Sequence, residues 1–558
     1  MAPSAITPAN GTSGTKVAQR AYQINEQPFG TRKKMRVIII GAGVSGLNFF
    51  KMSETKLSNI EVQCYEKKND VGGTWLENRY AGCACDIPSV NYQYSWKPTI
   101  WSKYYSESPE IWQYLKTIEQ ENNFIQKYVK LMHTVISAEW KDEAGQWTIT
   151  VTNNVTGDIF VDHCNVFLNG GGVLKLMHSA NWDQSYDFTG KRIAVIGAGS
   201  SDHLYTWVRS PTWITAGFAQ DFAAEDGRNF PYSDEQKEYL RNNPEAYLAY
   251  RKMIEKELNQ RFSLIIKGTD EAENARSYSE GEMKRRMSKN PDLADKIIPK
   301  NFAVGCRRPT PGNGYLEALV GDKTTCFTET IKAVTPTGFV DHTGTEHAVD
   351  AIICATGFDT SWIPRFPLVV NSSDLRETWT KEGLSTYLSV AVPDVPNYFT
   401  FCGPYGPLGH GSFFPIIGRY TDYIIATISK MQIEGIQSLR PKRKVAQDFL
   451  NHASEFLKRT AWTDPCSSWF KNGQPEGTPT IYPGSRVSFL RLLKTPRYED
   501  YDIVYDQDNT FAFLGNGFAI EEVDGSDMTY YLGQLKEVVD SSDLKARLRG
   551  TSEGATIL

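Results

Sequence analysis

The sequence predicts an α/β fold with two dinucleotide-binding, Rossmann-like domains. Three observations lead to this prediction. An apolar strand over residues 36–40 leads into the Gly-rich turn 41–46, and a second apolar strand over 192–196 leads into the Gly-rich turn 197–201. The chain has 558 residues with 40% hydrophobic content, enough to bury the cores of two or three domains. We expect the first domain to be discontinuous, and the second to be inserted into it and truncated.

The first Gly-rich turn carries a complete dinucleotide fingerprint. Gly41 allows a tight turn, Gly43 lets the backbone approach a pyrophosphate, and Gly46 lets the following helix pack closely on the sheet. The helix N-terminus then offers N–H groups and a positive dipole end to the phosphates. Glu66 ends the next strand, 60–65, at the spacing expected for the acid that binds a ribose hydroxyl. We assign this nucleotide site to Gly41, Gly43, Ser45, Gly46, Glu66 and Lys67.

The second Gly-rich turn lacks the helix that should follow it. A strand-like run over 203–208 begins almost at once, whereas a parallel strand–helix–strand connection needs roughly a dozen residues. Asp202 also stands where the third small residue belongs, and its charge would repel a phosphate. Because residues 199–202 are good turn formers, we expect the strands over 192–196 and 203–208 to form a hairpin or a distorted edge.

Composition excludes several classes of protein. The net charge is −5, and lysine and arginine are not concentrated in one segment, which argues against a nucleic-acid partner. No run approaches the roughly 18 apolar residues of a membrane span, so we expect a soluble, cytoplasmic protein. Residues 1–15 contain no apolar segment of the kind that a secretory signal requires, and we interpret them as disordered. The nine cysteines have no metal-binding spacing, which indicates reduced thiols and no metal site.

A block of motifs after the first turn resembles the flavin monooxygenases, most closely the fungal Baeyer–Villiger type. It consists of Val-Gly-Gly-Thr-Trp at 71–75, Asn-Arg-Tyr at 78–80, Cys-Asp-Ile-Pro at 85–88, and Tyr92. In that family the block lines the isoalloxazine ring of FAD. The resemblance continues through 307–315, 355–359 and 401–404, and covers about residues 32 to 484. It implies FAD contacts by Gly73, Thr74, Trp75, Asp86, Ile87, Tyr92, Gly403 and Pro404.

The resemblance also implies a reaction and residue roles. In that family NADPH reduces FAD, and O2 supplies the oxygen atom that is inserted beside a ketone carbonyl. Arg308 would be the fixed cation that stabilises developing negative charge, and Asp86 would position it. Arg307 would face the 2′-phosphate of NADPH, and a loop over 462–484 would close over the substrate. The NADPH contacts that the resemblance implies are Gly197, Gly199, Ser200, Ser201, Arg209 and Arg307.

The chain departs from the family pattern just before the second turn. The signature F-x-G-x-x-x-H-x-x-x-W keeps His178 and Trp182, but Gly172 and Leu174 stand at its Phe and Gly positions. The run from Gly170 to His178 is also too short for the Pro-rich linker that the family has between its domains. Two gaps therefore fall in one small region, one before His178 and one after Ser201. Either they are artefacts of the sequence, or the domain has lost NADPH binding.

These observations define the expected organisation. The predicted parts are a disordered tail (1–31), a first FAD-binding part (32–169), an NADPH-binding-like domain (170–349) with a helical insert (221–300), a second FAD-binding part (350–435), and a C-terminal helix, active-site loop and extension (436–558). We expect helices over 234–242, 245–261, 279–289 and 443–459, and strands over 510–514 and 518–523.

Three functions follow, in order of preference. The first is a Baeyer–Villiger-type monooxygenase that uses O2 on a ketone or polycyclic substrate of fungal secondary metabolism. The second is a flavin-bearing isomerase, cyclase or oxidase that no longer uses NADPH. The third is a catalytically silent scaffold, which is least favoured because the flavin motifs are intact.

Overall fold

The structure is a computed structural model that describes residues 22–171, 191–196, 203–215, 217–312, 314–355, 359–409, 411–533 and 541–548. The chain divides into two compact units. The larger unit comprises residues 32–432 and 436–504, and the described residues of the smaller unit are 22–31, 433–435, 505–533 and 541–548.

A five-stranded parallel sheet, here called sheet A, forms the first core of the larger unit. Its spatial order is Tyr398–Thr400, Val166–Asn169, Met35–Ile40, Ile60–Glu66 and Val129–Leu131. The first strand in the chain is almost wholly buried, as expected for a parallel sheet covered on both faces. The helix Val44–Lys56 follows this strand and buries Leu47, Phe49 and Phe50. The predicted strand–turn–helix is therefore present.

A mixed sheet packs beside sheet A. Its order is Ser373–Asp374, Leu368–Val370, His133–Lys141, Gln146–Asn153 and Ile159–Cys164. The strand Gln146–Asn153 alternates buried and half-buried residues, so one face points into a shared core. Trp147 and Phe167 meet in that core with ring centroids 5.8 Å apart. The same core includes Tyr65, the residue before Glu66.

A second parallel sheet, here called sheet B, contains both strands that flank the second Gly-rich turn. Its order is Thr324–Phe327, His203–Trp207, Arg192–Ile196 and Ala351–Cys354. Arg192 pairs with His203 and Val195 pairs with Thr206 in a parallel register. Both strands are inner strands of the sheet, so the prediction of a hairpin or a distorted edge is wrong. The outer strands explain the difference, because each inner strand also pairs in parallel with an outer one, and these contacts fix its direction. The two Rossmann-like sheets of the predicted fold class are thus both present.

The strand Ala351–Cys354 lies in sheet B, although the predicted boundary at residue 350 places it in the first domain. The chain re-enters sheet A at Tyr398–Thr400. The other domain boundaries remain predictions.

The helical insert contains four helices, Asp234–Asn242, Pro244–Gln260, Asp270–Arg286 and Pro291–Ile297. The first two match the predicted segments within one residue. The third begins nine residues before the predicted start at 279, because Thr269 caps it by accepting a hydrogen bond from the Ala272 amide. Three acidic residues in its first turn favour the same start.

The described residues contain further helices and short strands. The helices are Thr74–Glu77, Ser108–Asn122, Phe124–Tyr128, Tyr315–Leu319, Leu375–Glu382, Phe414–Glu434, Arg443–Leu457, Arg486–Leu492 and Ser541–Leu548. The strands are Ile214–Thr215 with Thr310–Pro311, the meander Ala333–Thr335, Gly338–Val340 and Glu346–Ala348, and the pair Ile436–Pro441 and Tyr501–Tyr505. In the described part of the chain, no helix is both long enough and apolar enough to cross a membrane.

The smaller unit differs from its prediction in two ways. The segments predicted as strands over 510–514 and 518–523 contain the 3₁₀ turns Ala512–Leu514 and Ile520–Glu522. Gly515 and Gly517, both at positive φ, interrupt this region and favour turns over a continuous strand. The Phe29 amide donates to the Phe518 carbonyl at 2.7 Å, so the predicted disordered tail does not extend to residue 31.

The cysteine prediction needs one correction. Cys306 and Cys466 form a disulfide, although their positions 160 residues apart in the sequence give no signal of pairing. The free cysteines are Cys64, Cys83, Cys85, Cys164, Cys326, Cys354 and Cys402.

Candidate functional site

The Gly-rich turn 41–46 brings three segments of backbone into direct contact. A Cβ atom added to Gly46 would lie 2.3 Å from the Gly41 carbonyl oxygen, and Gly41 itself has φ +93°. A Cβ on Gly73 would lie 3.1 Å from the Gly43 Cα atom. Gly43 is also the N-cap of the helix Val44–Lys56, and no side chain caps that helix. The helix N-terminus is therefore well suited to bind an anion.

A cavity of about 330 Å³ opens at this turn. Its size is in the range of ligand-binding cavities. The predicted cofactor residues that line it are Gly41, Gly43, Ser45, Glu66, Lys67, Gly73, Thr74, Trp75, Tyr92, Gly403 and Pro404. Three predicted residues do not line it: Gly46 packs against the turn, Ile87 is buried, and Asp86 pairs with Arg308.

Other residues also line the cavity. Asp359, Phe401 and Cys402 lie in the motifs at 355–359 and 401–404, although no cofactor contact was assigned to them. The remaining lining residues were not predicted; they are Ile40, Val44, Tyr65, Glu77, His133, Thr134, Val135, Asn169, Gly170, Gly171, Ser361, Trp362, Ile363, Pro364, Arg365, Phe366, Trp379, Tyr398, Thr400 and Phe413. Asn169 ends a strand of sheet A, and the rule that ligands bind at carboxyl ends of parallel strands could have identified it. Trp362 and Arg365 belong to no motif, and only the folded chain brings them to the cavity.

Glu66 lies at the end of a buried strand with its carboxylate fixed. It accepts hydrogen bonds from the Ala42 amide at 2.8 Å and from the Lys68 amide at 2.9 Å. Burial raises the pKa of Glu66, and these two hydrogen bonds oppose that shift. Lys67 pairs with Glu77 at 2.9 Å, and both residues line the cavity. The arrangement presents an oriented carboxylate at the cavity wall.

Three aromatic residues form one wall of the cavity and its backing. The Trp75 indole N–H donates to the Tyr92 hydroxyl at 3.3 Å, and the two rings meet edge to face. Tyr92 packs in the same way on Phe414, with centroids 4.8 Å apart. Burial raises the pKa of Tyr92 well above its usual value, and the charges of Asp86 and Arg308 also act on it. The three rings thus hold one another in fixed orientations at the cavity wall.

Arg308 and Asp86 form a fork-to-fork ion pair. Arg308 Nη2 donates to Asp86 Oδ1 at 2.9 Å, and Nη1 donates to Oδ2. The side chains are 31% and 30% exposed. Burial lowers the pKa of Arg308, but the Asp86 charge and hydrogen bonds outweigh it, so the net shift is upward. Arg308 therefore remains a cation in a fixed orientation.

The Phe218 ring holds the other side of this cation. It lies 4.8 Å from the guanidinium carbon of Arg308, and 5.7 Å from that of Arg261. The Tyr105 hydroxyl donates to the Phe218 carbonyl at 2.7 Å, which fixes the backbone that carries the ring. Arg308 is thus held between a carboxylate and an aromatic face.

Known proteins resemble this chain in sequence and in fold. Residues 33–207 match the family described as flavin-binding monooxygenase-like. The FAD-binding monooxygenase tazF of Aspergillus terreus is 36% identical over 551 residues, which cover 92% of this chain and 97% of that protein. The chain belongs to the flavin-binding monooxygenase-like family. A Baeyer–Villiger monooxygenase of Pseudomonas aeruginosa is 27% identical over 522 residues, covering 88% of this chain and 94% of that protein.

The fold of this flavin-binding monooxygenase also matches a solved structure. The NADP⁺-bound cyclohexanone monooxygenase from Rhodococcus sp. Phi1 superimposes with a TM-score of 0.71 at 21% identity, over 85% of this chain and all of that one. The cavity residues fit FAD. The glycine backbones leave room for a pyrophosphate, and the uncapped helix end favours its negative charge. The Glu66 carboxylate can accept a hydrogen bond from a ribose hydroxyl.

The predicted NADPH contacts are placed only in part. Gly197, Gly199, Ser200 and Ser201 lie outside the described residues, as do His178 and Trp182. Arg209 is exposed just beyond the carboxyl end of the strand His203–Trp207. Arg307 is half-buried, burial lowers its pKa, and its Nε atom has no hydrogen-bond partner among the described residues. Among those residues, no group of three or more His, Cys, Asp or Glu side chains could hold a metal ion.

A buried arginine connects the helical insert to the loop before Phe414. Arg486 is fully buried and donates to the Glu255 carboxylate, to Asn259 at 2.8 Å and to the Ser412 carbonyl at 2.8 Å. Glu255 also accepts a hydrogen bond at 2.8 Å from the side-chain amide of Asn91, the residue before Tyr92. This network, here called the Arg486 network, holds the insert against the cavity wall.

We expect Arg486→Ala to lower the free energy of unfolding by about 3 kcal/mol, because Glu255 and the Ser412 carbonyl lose their buried donor. Thermal unfolding with and without FAD measures the effect. Arg491→Ala is the matched control, since Arg491 is exposed on the same short helix and should change stability by less than about 0.5 kcal/mol. Equal loss in both variants would show that the Arg486 network contributes nothing.

Proposed function

We propose that this protein is a Baeyer–Villiger-type monooxygenase. It would convert a ketone, O2, NADPH and a proton into an ester or lactone, NADP⁺ and water. The observation that carries the proposal is the Arg308–Asp86 pair, a cation held in a fixed orientation by Asp86 and Phe218. The expectation that the ketone is a fungal secondary metabolite rests on the sequence resemblance.

The residues of the chain have separate tasks in this proposal. FAD, when bound, supplies the redox chemistry of oxygen activation. The turn 41–46 and the helix end at Val44 bind its pyrophosphate, and Glu66 orients its ribose. Arg308 stabilises negative charge that develops on the reacting oxygen, and it does so without reorganisation because Asp86 and Phe218 already hold it.

Sheet B supports the use of NADPH. Its four strands run in parallel, so the carboxyl ends of the two strands beside the second Gly-rich turn lie at one edge. Ligands of open α/β sheets bind at this edge, and Arg209 lies there. This arrangement favours a nicotinamide-dependent enzyme over the redox-neutral isomerase or the oxidase.

Anaerobic reduction tests the proposal. We expect NADPH to bleach the absorbance of the oxidised flavin within seconds. Arg209→Ala should raise the NADPH concentration needed for half-maximal bleaching about tenfold, as expected when one cation that contacts a phosphate is lost. Arg443→Ala is the control, because Arg443 is an exposed arginine paired with Asp394. Reoxidation with ¹⁸O2 and a panel of cyclic and polycyclic ketones should then place one labelled atom in the product.

Two results would contradict the proposal. If a protein with stoichiometric FAD is not bleached by NADPH or NADH, the reductive half-reaction is absent and the nicotinamide-independent alternative gains support. If bleaching occurs but no ketone in the panel acquires ¹⁸O while sulfides or amines do, the chain is a flavin monooxygenase of another type.

A further inference from the structure

We propose that Cys306 and Cys466 are an oxidation site whose disulfide holds the segment bearing Arg307 and Arg308, so that oxygen transfer depends on the redox state of this pair. The functional half of this inference rests on the proposed monooxygenase activity. The chemical half, formation of the disulfide, does not.

The position of the disulfide points to the site. Cys306 is only two residues before Arg308, and Cys466 lies in the loop 462–484 that was expected to close over the substrate. Both residues are buried, with 0% and 2% of their surface exposed, in a cluster that includes Phe302 and Leu316. A covalent bond therefore joins residues 304–309, here called the arginine segment, to the distant loop 462–484.

The arginine segment has little regular structure of its own. Residues 304–309 belong to no helix or strand, and Gly305 has φ +95°. At its start, the Ala303 amide donates to the Asp464 carboxylate at 2.8 Å. At its end, Thr310 pairs with Ile214. The disulfide lies between these two anchors, one residue before Arg307.

The partner loop is firm enough to act as an anchor. The Lys471 ammonium is buried and donates to the carbonyls of Asp464 and Pro475, each at 2.6 Å. The Tyr405 amide donates to the Thr480 carbonyl at 2.8 Å, which ties the loop to the segment after sheet A. Fixing Cys306 to this loop therefore restricts the backbone that carries Arg308.

The oxidation can be balanced with hydrogen peroxide as the oxidant. Two thiols lose two electrons and two protons as the S–S bond forms, and the peroxide is reduced to two water molecules. Because both sulfur atoms are buried, a thiol reductant reaches the folded disulfide slowly. The bond should therefore persist in the folded protein and be lost quickly only after unfolding.

Mass spectrometry tests the chemical half without any assay of activity. The native protein is treated with hydrogen peroxide, denatured in iodoacetamide without reductant, and digested. We expect a linked peptide containing Cys306 and Cys466, with the other seven cysteines alkylated. Nine alkylated cysteines after peroxide treatment would overturn the proposal, as would linkage of either residue to another cysteine.

Kinetics tests the functional half with matched variants. We expect Cys306→Ser, Cys466→Ser and the double variant to bind FAD normally, to lose about tenfold in oxygen insertion, and to release more hydrogen peroxide per NADPH oxidised. The double variant should lose no more than either single variant. Cys326→Ser is the control, because Cys326 is a free, half-buried cysteine of sheet B. If all three variants couple NADPH oxidation to oxygen insertion as fully as the wild type does, the link between the disulfide and Arg308 is refuted.

If the variants fail to fold, a measurement on the wild-type protein tests the same point. Wild-type protein that is reduced by a small phosphine and re-purified should show the same loss of oxygen insertion, and peroxide treatment should restore that activity. If the linked peptide forms but no protein form is reduced by NADPH, the proposed function fails while the oxidation site stands. If NADPH reduces every form and reduced wild type couples fully, only the regulatory role fails.

Discussion

Arg308→Ala is expected to lower kcat for oxygen insertion about 1,000-fold while FAD remains bound. Removal of one preorganised group that stabilises developing negative charge typically costs 10²–10³ in rate, and Arg308 is the charged member of this site. Its side chain does not line the cavity, so FAD should keep its contacts. Steady-state product formation and FAD content of the purified variant measure the two effects.

Conservative variants show whether geometry matters as well as charge. Arg308→Lys keeps a positive charge but loses the fork that binds both Asp86 oxygens, so it should recover only part of the activity. Asp86→Asn should also be impaired, and the double variant Arg308→Lys with Asp86→Asn should be less impaired than additivity predicts. Full turnover by Arg308→Ala would remove the arginine from the reaction, whereas Arg443→Ala should match wild type.

The first nucleotide site could be predicted because its determinants are local. The close contact between Gly41 and Gly46 is set within six residues, and Glu66 follows from the length of one strand–helix–strand unit. The Arg308–Asp86 pair joins residues 222 apart in the chain, and only the family resemblance predicted it. Phe218, which packs on Arg308, was not predicted, since a single phenylalanine carries no signal of its neighbours.

Several of the failed predictions concern contacts between distant segments. The length of the second Gly-rich turn predicted a hairpin, but pairing with Thr324–Phe327 and Ala351–Cys354 decides the direction of both inner strands. The pairing of Cys306 with Cys466 likewise depends on tertiary structure. Trp362 lines the cavity with φ +65°, a conformation that sequence alone does not assign to tryptophan.

Gly46→Ala is expected to weaken FAD binding by one to two orders of magnitude. The added Cβ would lie 2.3 Å from the Gly41 carbonyl oxygen, and neither backbone can rotate away as a side chain could. Overpacking of this kind costs about 1–3 kcal/mol, which corresponds to about 10–100-fold in a dissociation constant. The cost falls on FAD binding because the displaced backbone is the turn that faces the pyrophosphate. Titration of the apoprotein with FAD, followed by flavin fluorescence, gives the constant.

The chain provides a matched control for this substitution. Gly418 lies inside the helix Phe414–Glu434, and a Cβ built there meets no atom within 4 Å. Gly418→Ala should therefore leave the FAD dissociation constant unchanged and stabilise the protein by about 0.5–1 kcal/mol, because alanine loses less conformational entropy in a helix than glycine does. A loss of affinity shared by both variants would point to general disturbance. A loss confined to Gly46→Ala would show that close approach of the turn to its helix is required for FAD binding.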